Sequence, residues 1–264
     1  MGARRRGKLA RTGVTAAALA ALAAGGLTTG LTAGGSAASG APPAVRAETA
    51  QLTALSVAAY TAPARTLKQG MRGADVKALQ QRLAALKYYP GAADGVFGAN
   101  TVEAVWAFQE VNGLAADGVV GPATKRALVS PHAYKTRFPR QNAMRIEVNL
   151  TQRVLILYQN RSIALVSHVS SGGGYRYCTS RGCSYAITPT GSFRTTVYMP
   201  GWVKVPLGEM YNPVFFISTV FAIHGDTYVP VNPVSHGCIR IPMDIAAFFH
   251  TKVKTPGTQV FVYR

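Results

Sequence analysis

Apolar positions fall into three regimes along the chain, and each predicts a different kind of structure. Residues 12–36 are almost wholly Ala, Leu, Gly and Thr, uncharged throughout. Between residues 67 and 130 apolar side chains return at helical spacing. Val76, Leu79, Leu83 and Leu86 line one face, Val102, Val105 and Trp106 a second, and Ala127 and Leu128 close a third. This predicts a compact module of three short helices. From residue 144 the rhythm changes to short runs rich in Val, Ile, Phe and Tyr, at 144–148, 154–158, 163–169, 192–198, 214–217, 220–223 and 259–263, separated by Gly, Pro, Asn and Ser. That pattern predicts a mostly β domain. Residues 243–250 form the one convincing helix of this half, with Ile245, Phe248 and Phe249 as its apolar face. Long helices between the strands are missing, which argues against a parallel α/β sheet.

The chain is therefore expected to be multidomain. A leader occupies 1–47, a small Pro-containing spacer 48–66, the helical module 67–130, a second linker 131–143 with Pro131 and Pro139, and the β domain 144–264. The leader reading rests on Arg4, Arg5, Arg6, Lys8 and Arg11 ahead of the uncharged stretch, the layout of a secretory signal. Its Gly/Thr-rich second half is too weakly apolar for a membrane anchor. Small residues at 36–38 and 45–47 put cleavage within 38–47. The arginine triplet raises a twin-arginine export route, but no bulky apolar pair follows at the usual offset. The first cysteine is Cys178, so no lipid anchor is expected.

Of the 28 Lys and Arg residues 22 follow residue 47, together with all ten acidic residues, leaving a net charge of +12 after processing. The basic residues are scattered rather than clustered, so a generic attraction to an anionic polymer outside the cell fits better than nucleic-acid binding. Export also frames the three cysteines. Cys178 and Cys183 flank a four-residue loop in which Gly182 helps the chain turn back, and they are expected to pair as a disulfide. That leaves Cys238 as an odd thiol, either a buried inert side chain or a nucleophile.

An internal echo marks the helical module. Residues 93–101 (ADGVFGANT) return 23 positions later as 116–124 (ADGVVGPAT), identical at six of nine positions. Each copy is an Asp-Gly turn that launches a helix, and Pro122 suits a first helical position. Together with Gly70, Gly73, Asp75-Val76, Leu79-Gln80, Leu83 and Phe108-Gln109, these turns resemble the peptidoglycan-binding domain of wall hydrolases and transpeptidases over nearly all of residues 67–130. The resemblance implies a module that holds an enzyme on its polymeric substrate and raises the local concentration.

In the β domain two histidines stand near the odd thiol, in the segments Ile223-His224-Gly225-Asp226 and Val234-Ser235-His236-Gly237-Cys238-Ile239-Arg240. A thiol with a pKa near 8.5 becomes a nucleophile when an imidazole takes its proton. Histidine and cysteine also bind zinc, but the cysteines lack the short spacing of zinc sites, and neither a metal nor a cofactor is expected. With Ser170-Ser171-Gly172, Thr188-Pro189-Thr190-Gly191-Ser192-Phe193 and Met210-Tyr211-Asn212-Pro213, the segments resemble the L,D-transpeptidase signature across about residues 144–264. Many family members carry Asn where this chain has Arg240.

The resemblance implies the following roles. Cys238 is the nucleophile, and His224 takes its proton and later gives one to the leaving amine. The Gly225 carbonyl orients His224. His236, two residues before Cys238 on an extended segment, faces the same way and supports the site. The amides of Gly237 and Cys238 donate to the oxyanion. Ser235 and Arg240 contact substrate. Tyr211, Phe215 and Phe216 either line a substrate groove or pack in the core, and Tyr211 is the one placed in the groove. The implied reaction releases D-alanine from a stem tetrapeptide and makes a 3→3 cross-link, or, if water resolves the thioester, trims the stem as a carboxypeptidase. The alternatives are a cysteine endopeptidase and a wall-binding protein with an inactive β domain. The expected partner is peptidoglycan and the expected location the cell wall outside the membrane.

Overall fold

The computed structural model describes residues 60–180 and 182–264; the leader expected over 1–47 and most of the 48–66 spacer lie outside them. Three helices open the described chain: α1 (Ala74–Ala85), α2 (Ala99–Val111) and α3 (Pro122–Val129). Each starts directly after a glycine, Gly73, Gly98 or Gly121. Pro122 occupies the first turn of α3, where its missing N–H costs nothing.

The repeated sequence has a repeated physical cause. Gln80, buried on α1, lies with its Nε2 2.9 Å from Asp94 Oδ1, 3.0 Å from the Val96 carbonyl and 3.1 Å from Thr101 Oγ1, while its Oε1 accepts from the Gly95 N–H at 2.9 Å. Gln109 on α2 does the same one repeat later, with Asp117 Oδ1 (2.6 Å), the Val119 carbonyl (3.0 Å), Thr124 Oγ1 (3.1 Å) and the Gly118 N–H (3.0 Å). Each helix thus clamps the turn that launches the next. The turn needs glycine: Gly95 and Gly118 have φ of 77° and 71°, where a side chain is strained. The Gln80 amide also holds the Asp94 carboxyl below its usual range. Replacing Gln80 with Met keeps the volume but leaves the buried Gly95 N–H without its acceptor. Gln80→Met is expected to cost about 1–3 kcal/mol of unfolding free energy, checked by chemical denaturation.

Eleven strands and one helix make up the rest. A five-stranded sheet contains, in order, β3 (Ser162–His168), β2 (Val154–Gln159), β1 (Arg145–Asn149), β11 (Gln259–Tyr263) and β6 (Gly191–Arg194). A four-stranded sheet contains β10 (Ile239–Pro242), β9 (Phe221–Asp226), β8 (Gly208–Ile217) and β7 (Trp202–Val205). A separate hairpin pairs β4 (Arg176–Thr179) with β5 (Gly182–Tyr185). Pairing is antiparallel except for β1 with β11 and β9 with β10. The core lies between the two sheets: Ile146, Val148, Leu155, Leu157 and Val260 from the first meet Val214, Phe216, Ile223, Ile239 and Ile241 from the second. Helix α4 (Met243–Lys252) adds Ile245, Ala246 and Phe249 to the same cluster.

Strand β2 alternates between two cores. Leu155 and Leu157 face the sandwich, whereas Val154, Ile156 and Tyr158 join Val166 in a cluster with Leu79, Val105 and Phe108 of the helical module. Full burial of such side chains is worth about 1.5–3 kcal/mol each, so the module is packed onto the sheet. A backbone bond from the Val166 N–H to the Lys87 carbonyl, 2.8 Å, ties the two together. Residues 131–143 contain no helix or strand but are pinned to the sheet. Glu147, fully buried, accepts from Arg145 Nε (2.8 Å), Thr136 Oγ1 (2.6 Å) and the Arg137 N–H (3.1 Å). Phe138 stacks on Phe261 with centroids 4.1 Å apart.

The strand expected over 192–198 is shorter in the structure. It ends at Arg194, and the chain then crosses from one sheet to the other: the Thr195 N–H donates to Thr258, and the Thr196 N–H to Phe215.

Candidate active site

The parallel pairing of β9 with β10 builds the site. Its register sets Ile239 opposite Ile223 and Arg240 opposite His224, which brings Cys238, just before β10, beside Ala222. Side chains alternate along a strand, so His224 and Cys238 emerge on one face although they are 14 positions apart. The Cys238 sulfur lies 3.5 Å from the Ala222 N–H and 3.7 Å from the Val220 carbonyl, and it packs against Met210, Phe215 and Ala222. Burial raises its pKa above the usual thiol value, opposed by the Ala222 N–H and the positive Arg240.

His224 is buried, and its Nδ1 lies 2.9 Å from the Gly225 carbonyl. A carbonyl only accepts, so Nδ1 carries the hydrogen and Nε2 is the nitrogen left to take a proton. Burial lowers the pKa of His224, the Gly225 hydrogen bond and Asp226 oppose that shift, and Arg240 adds to it. Both shifts favour a neutral thiol beside a neutral imidazole at rest.

The loop carrying the thiol is held on every side. Ser235 Oγ donates to the Cys238 carbonyl at 2.6 Å and accepts from the Gly237 N–H at 3.0 Å. Thr188 Oγ1 donates to the Gly237 carbonyl (2.8 Å) and accepts from the Gly172 N–H (2.8 Å). Ser170 and Arg240 exchange two backbone bonds, and the Ser235 N–H donates to Ser171. Gly237 has φ of 136°, and a Cβ there would lie 2.7 Å from the Phe221 ring and 2.9 Å from the Ile187 carbonyl. The chain passes the thiol through a slot that only glycine fits.

His236 is partly buried, with the rings of Tyr175 and Tyr177 edge-on at 5.5 and 4.9 Å. Burial and Arg240 both lower its pKa. Arg240 Nε lies 3.1 Å from Asp226 Oδ2, an ion pair without hydrogen-bond geometry. Cys238, His224, His236, Ser235 and Arg240 all line one cleft of about 630 Å³.

Tyr211, Gly237 and Ser235 have other partners in the structure. Tyr211 packs with the sandwich core, its ring tilted against Trp202 at 5.3 Å, and since successive strand residues face opposite ways it is its neighbour Met210 that lines the cleft. The Gly237 amide, expected at the oxyanion, is already bound to Ser235 Oγ. Ser235 itself is almost fully buried, and its hydroxyl holds the loop. Phe215 and Phe216 are core residues.

Sequence reasoning missed two walls of the cleft. One is the β4–β5 hairpin, which contributes Tyr177, Thr179 and Cys183 and whose Cys178 and Cys183 sulfurs are joined at 2.05 Å. The paired cysteines were the signal for a hairpin here. The other is the turn between β7 and β8, from Val205 to Glu209, where Leu207 is exposed. Among the described residues, no group of three or more His, Cys, Asp or Glu is placed to hold a metal ion.

Comparison with known proteins gives this geometry a context. Residues 143–262 match the model for an L,D-transpeptidase catalytic domain, and residues 72–128 that for a putative peptidoglycan binding domain. The solved L,D-transpeptidase (residues 123–326) of Xylanimonas cellulosilytica is 33% identical over 77% of this chain and 99% of its own, with a TM-score of 0.71. The N-acetylmuramoyl-L-alanine amidase CwlM of Mycobacterium tuberculosis is 42% identical over 95 residues, 31% of this chain and 23% of that protein. The zinc D-Ala-D-Ala carboxypeptidase of Streptomyces albus G is 50% identical over 64 residues, 22% of this chain and 24% of that protein. The chain thus spans about a quarter of the length of these two curated relatives.

Proposed function

This chain belongs to the L,D-transpeptidase family and carries a peptidoglycan-binding domain, and from that premise we propose that it joins peptidoglycan stem peptides through a thioester on Cys238. The observation that carries this reading is the strand register that sets Cys238 beside β9, with His224 held at Nδ1 by Gly225.

In this reading His224 Nε2 takes the Cys238 proton, and the thiolate attacks the carbonyl joining the third stem residue to the terminal D-alanine. The oxygen that becomes negative meets the Cys238 amide, since the Gly237 amide is engaged. The C–N bond breaks, the imidazolium gives its proton to the departing D-alanine amine, and the thioester remains. An amine on the third residue of a second stem then attacks the thioester carbonyl. His224 takes the amine's proton and returns it to the sulfur, leaving a 3→3 cross-link and a free thiol. Water in place of the amine gives a carboxypeptidase by the same steps, and relatives named as amidases and a carboxypeptidase keep that second reading alive.

The +12 charge after residue 47 and the helical module favour action on anionic wall polymer outside the membrane, after export by the leader. The test is mass spectrometry of tetrapeptide muropeptides incubated with the enzyme. A dimer that has lost one D-alanine is the expected product. Monomeric tripeptide alone moves the assignment to carboxypeptidase, and unchanged muropeptides reject both.

A further inference from the structure

One enclosed titratable side chain has no part in the proposed chemistry. His168, the last residue of β3, has a fully buried side chain. Its Nδ1 lies 3.1 Å from Glu110 Oε2 on α2 of the helical module, and its Nε2 lies 3.1 Å from the Pro230 carbonyl. The Pro230 carbonyl only accepts, so Nε2 carries the hydrogen that faces it, and Nδ1 shares a hydrogen with the Glu110 carboxyl. Glu110, itself buried, also accepts from Arg153 Nε at 2.7 Å, so one carboxyl joins a buried histidine to a partly exposed arginine. The Trp106 ring covers His168 at 5.5 Å.

What matters is where the far end lands. Pro230 lies in the connection between β9 and the nucleophile, four residues before Val234-Ser235-His236-Gly237-Cys238. The same connection is gripped again two residues on, where Ser170 Oγ donates to the Asn232 carbonyl at 2.9 Å and accepts from the Val234 N–H at 3.2 Å. The stretch that delivers His236 and Cys238 is thus fixed from the end of β3, and the outer support of that end is a carboxylate supplied by the peptidoglycan-binding module.

We infer that Glu110 is a positioning residue for the reaction, acting through His168 and the Pro230 carbonyl on the loop that carries the nucleophile. The module then completes the catalytic domain as well as holding the wall. This inference rests on the reading of Cys238 as nucleophile, so its test includes a measurement that needs no reaction.

Full-length Glu110→Gln removes the charge at nearly constant shape, and His168→Gln approaches the bridge from the other side. Three readouts are compared with those of the Gln80→Met variant, which loosens the module away from the bridge. Steady-state release of D-alanine is expected to show kcat lowered roughly ten- to a hundredfold with KM little changed, as for a displaced catalytic group. Hydrogen exchange of the peptide covering residues 227–238 is expected to quicken in both bridge variants and not in Gln80→Met. Pelleting with isolated walls is expected to be unchanged. Unaltered exchange and kcat in folded bridge variants would overturn the inference. So would an equal loss of kcat in a Gln80→Met protein of matched stability, since that loss is general loosening. If the wild type releases no D-alanine, the functional reading fails, while the exchange data still decide whether the bridge holds the loop.

Discussion

Cys238→Ala is expected to lower D-alanine release from tetrapeptide muropeptides by about four orders of magnitude or more, the scale seen when a nucleophile is removed from an acyl-transfer site. Cys238 is the one free cysteine among the described residues. It packs on Met210, Phe215 and Ala222, so loss of the sulfur leaves a small void and little damage to the fold. Intact-protein mass spectrometry separates the roles. Wild-type enzyme exposed to donor alone is expected to gain the mass of the stem acyl group, and the variant none. Wall pelleting by the variant is expected to persist, because the helical module holds none of these atoms. A Cys238→Ala protein that still releases D-alanine would remove the thioester route and with it the family mechanism. Cys238→Ser is the more searching variant: a hydroxyl is far less acidic than a thiol, so His224 cannot activate it to the same degree.

Much of the fold is legible in particular runs of residues. The final strand, Gln259–Tyr263, coincides with the expected run, and α4 begins at Met243, where the helix is expected to start. The echo over 93–101 and 116–124 is legible as two turns, but its cause, a buried glutamine clamping each one, needs the structure because Gln80 and Asp94 are brought together across 14 positions. The run Val154–Tyr158 carries more than a strand. It has no polar alternation, and an unbroken apolar run means that both faces are covered. The module supplies the second cover. Strands β4 and β5 carry no alternation because nearly every residue in them is exposed, so only the expected Cys178–Cys183 pair marks the turn between them. Strand β8 is legible only over 214–217, since Glu209, Asn212 and Pro213 and the irregular register near Tyr211 interrupt it. In the site, His224, His236 and Cys238 are legible as chemistry and do share a cleft. The hold on Ser235 is a local contact within its own loop, whereas the Glu110–His168 bridge is a long-range outcome of packing that no local pattern encodes.

The acid limb of the wild-type kcat/KM profile is expected to lie below pH 6.5, and His224→Ala is expected to abolish that limb while lowering the rate about 10²–10⁴-fold. The sign follows from the direction of the shifts. His224 must be neutral to accept the thiol proton, and burial lowers its pKa below the ordinary 6.5, so it is neutral at pH 7 and loses function only as pH falls through that lowered value. Cys238 moves the other way: burial raises it above the ordinary 9.0, so at pH 7 the sulfur keeps its proton until the imidazole removes it. Without His224 the thiolate forms only at alkaline pH, and the residual rate of the variant is expected to climb toward the raised thiol value instead of levelling near neutrality. His236 provides the counter-test. Its pKa is lowered too, but it is held by Tyr175 and Tyr177 at the rim of the cleft, so His236→Ala is expected to leave the acid limb in place. If the limb survives in His224→Ala and vanishes in His236→Ala, the base is His236, and the Gly225 contact orients a histidine that only packs against the thiol.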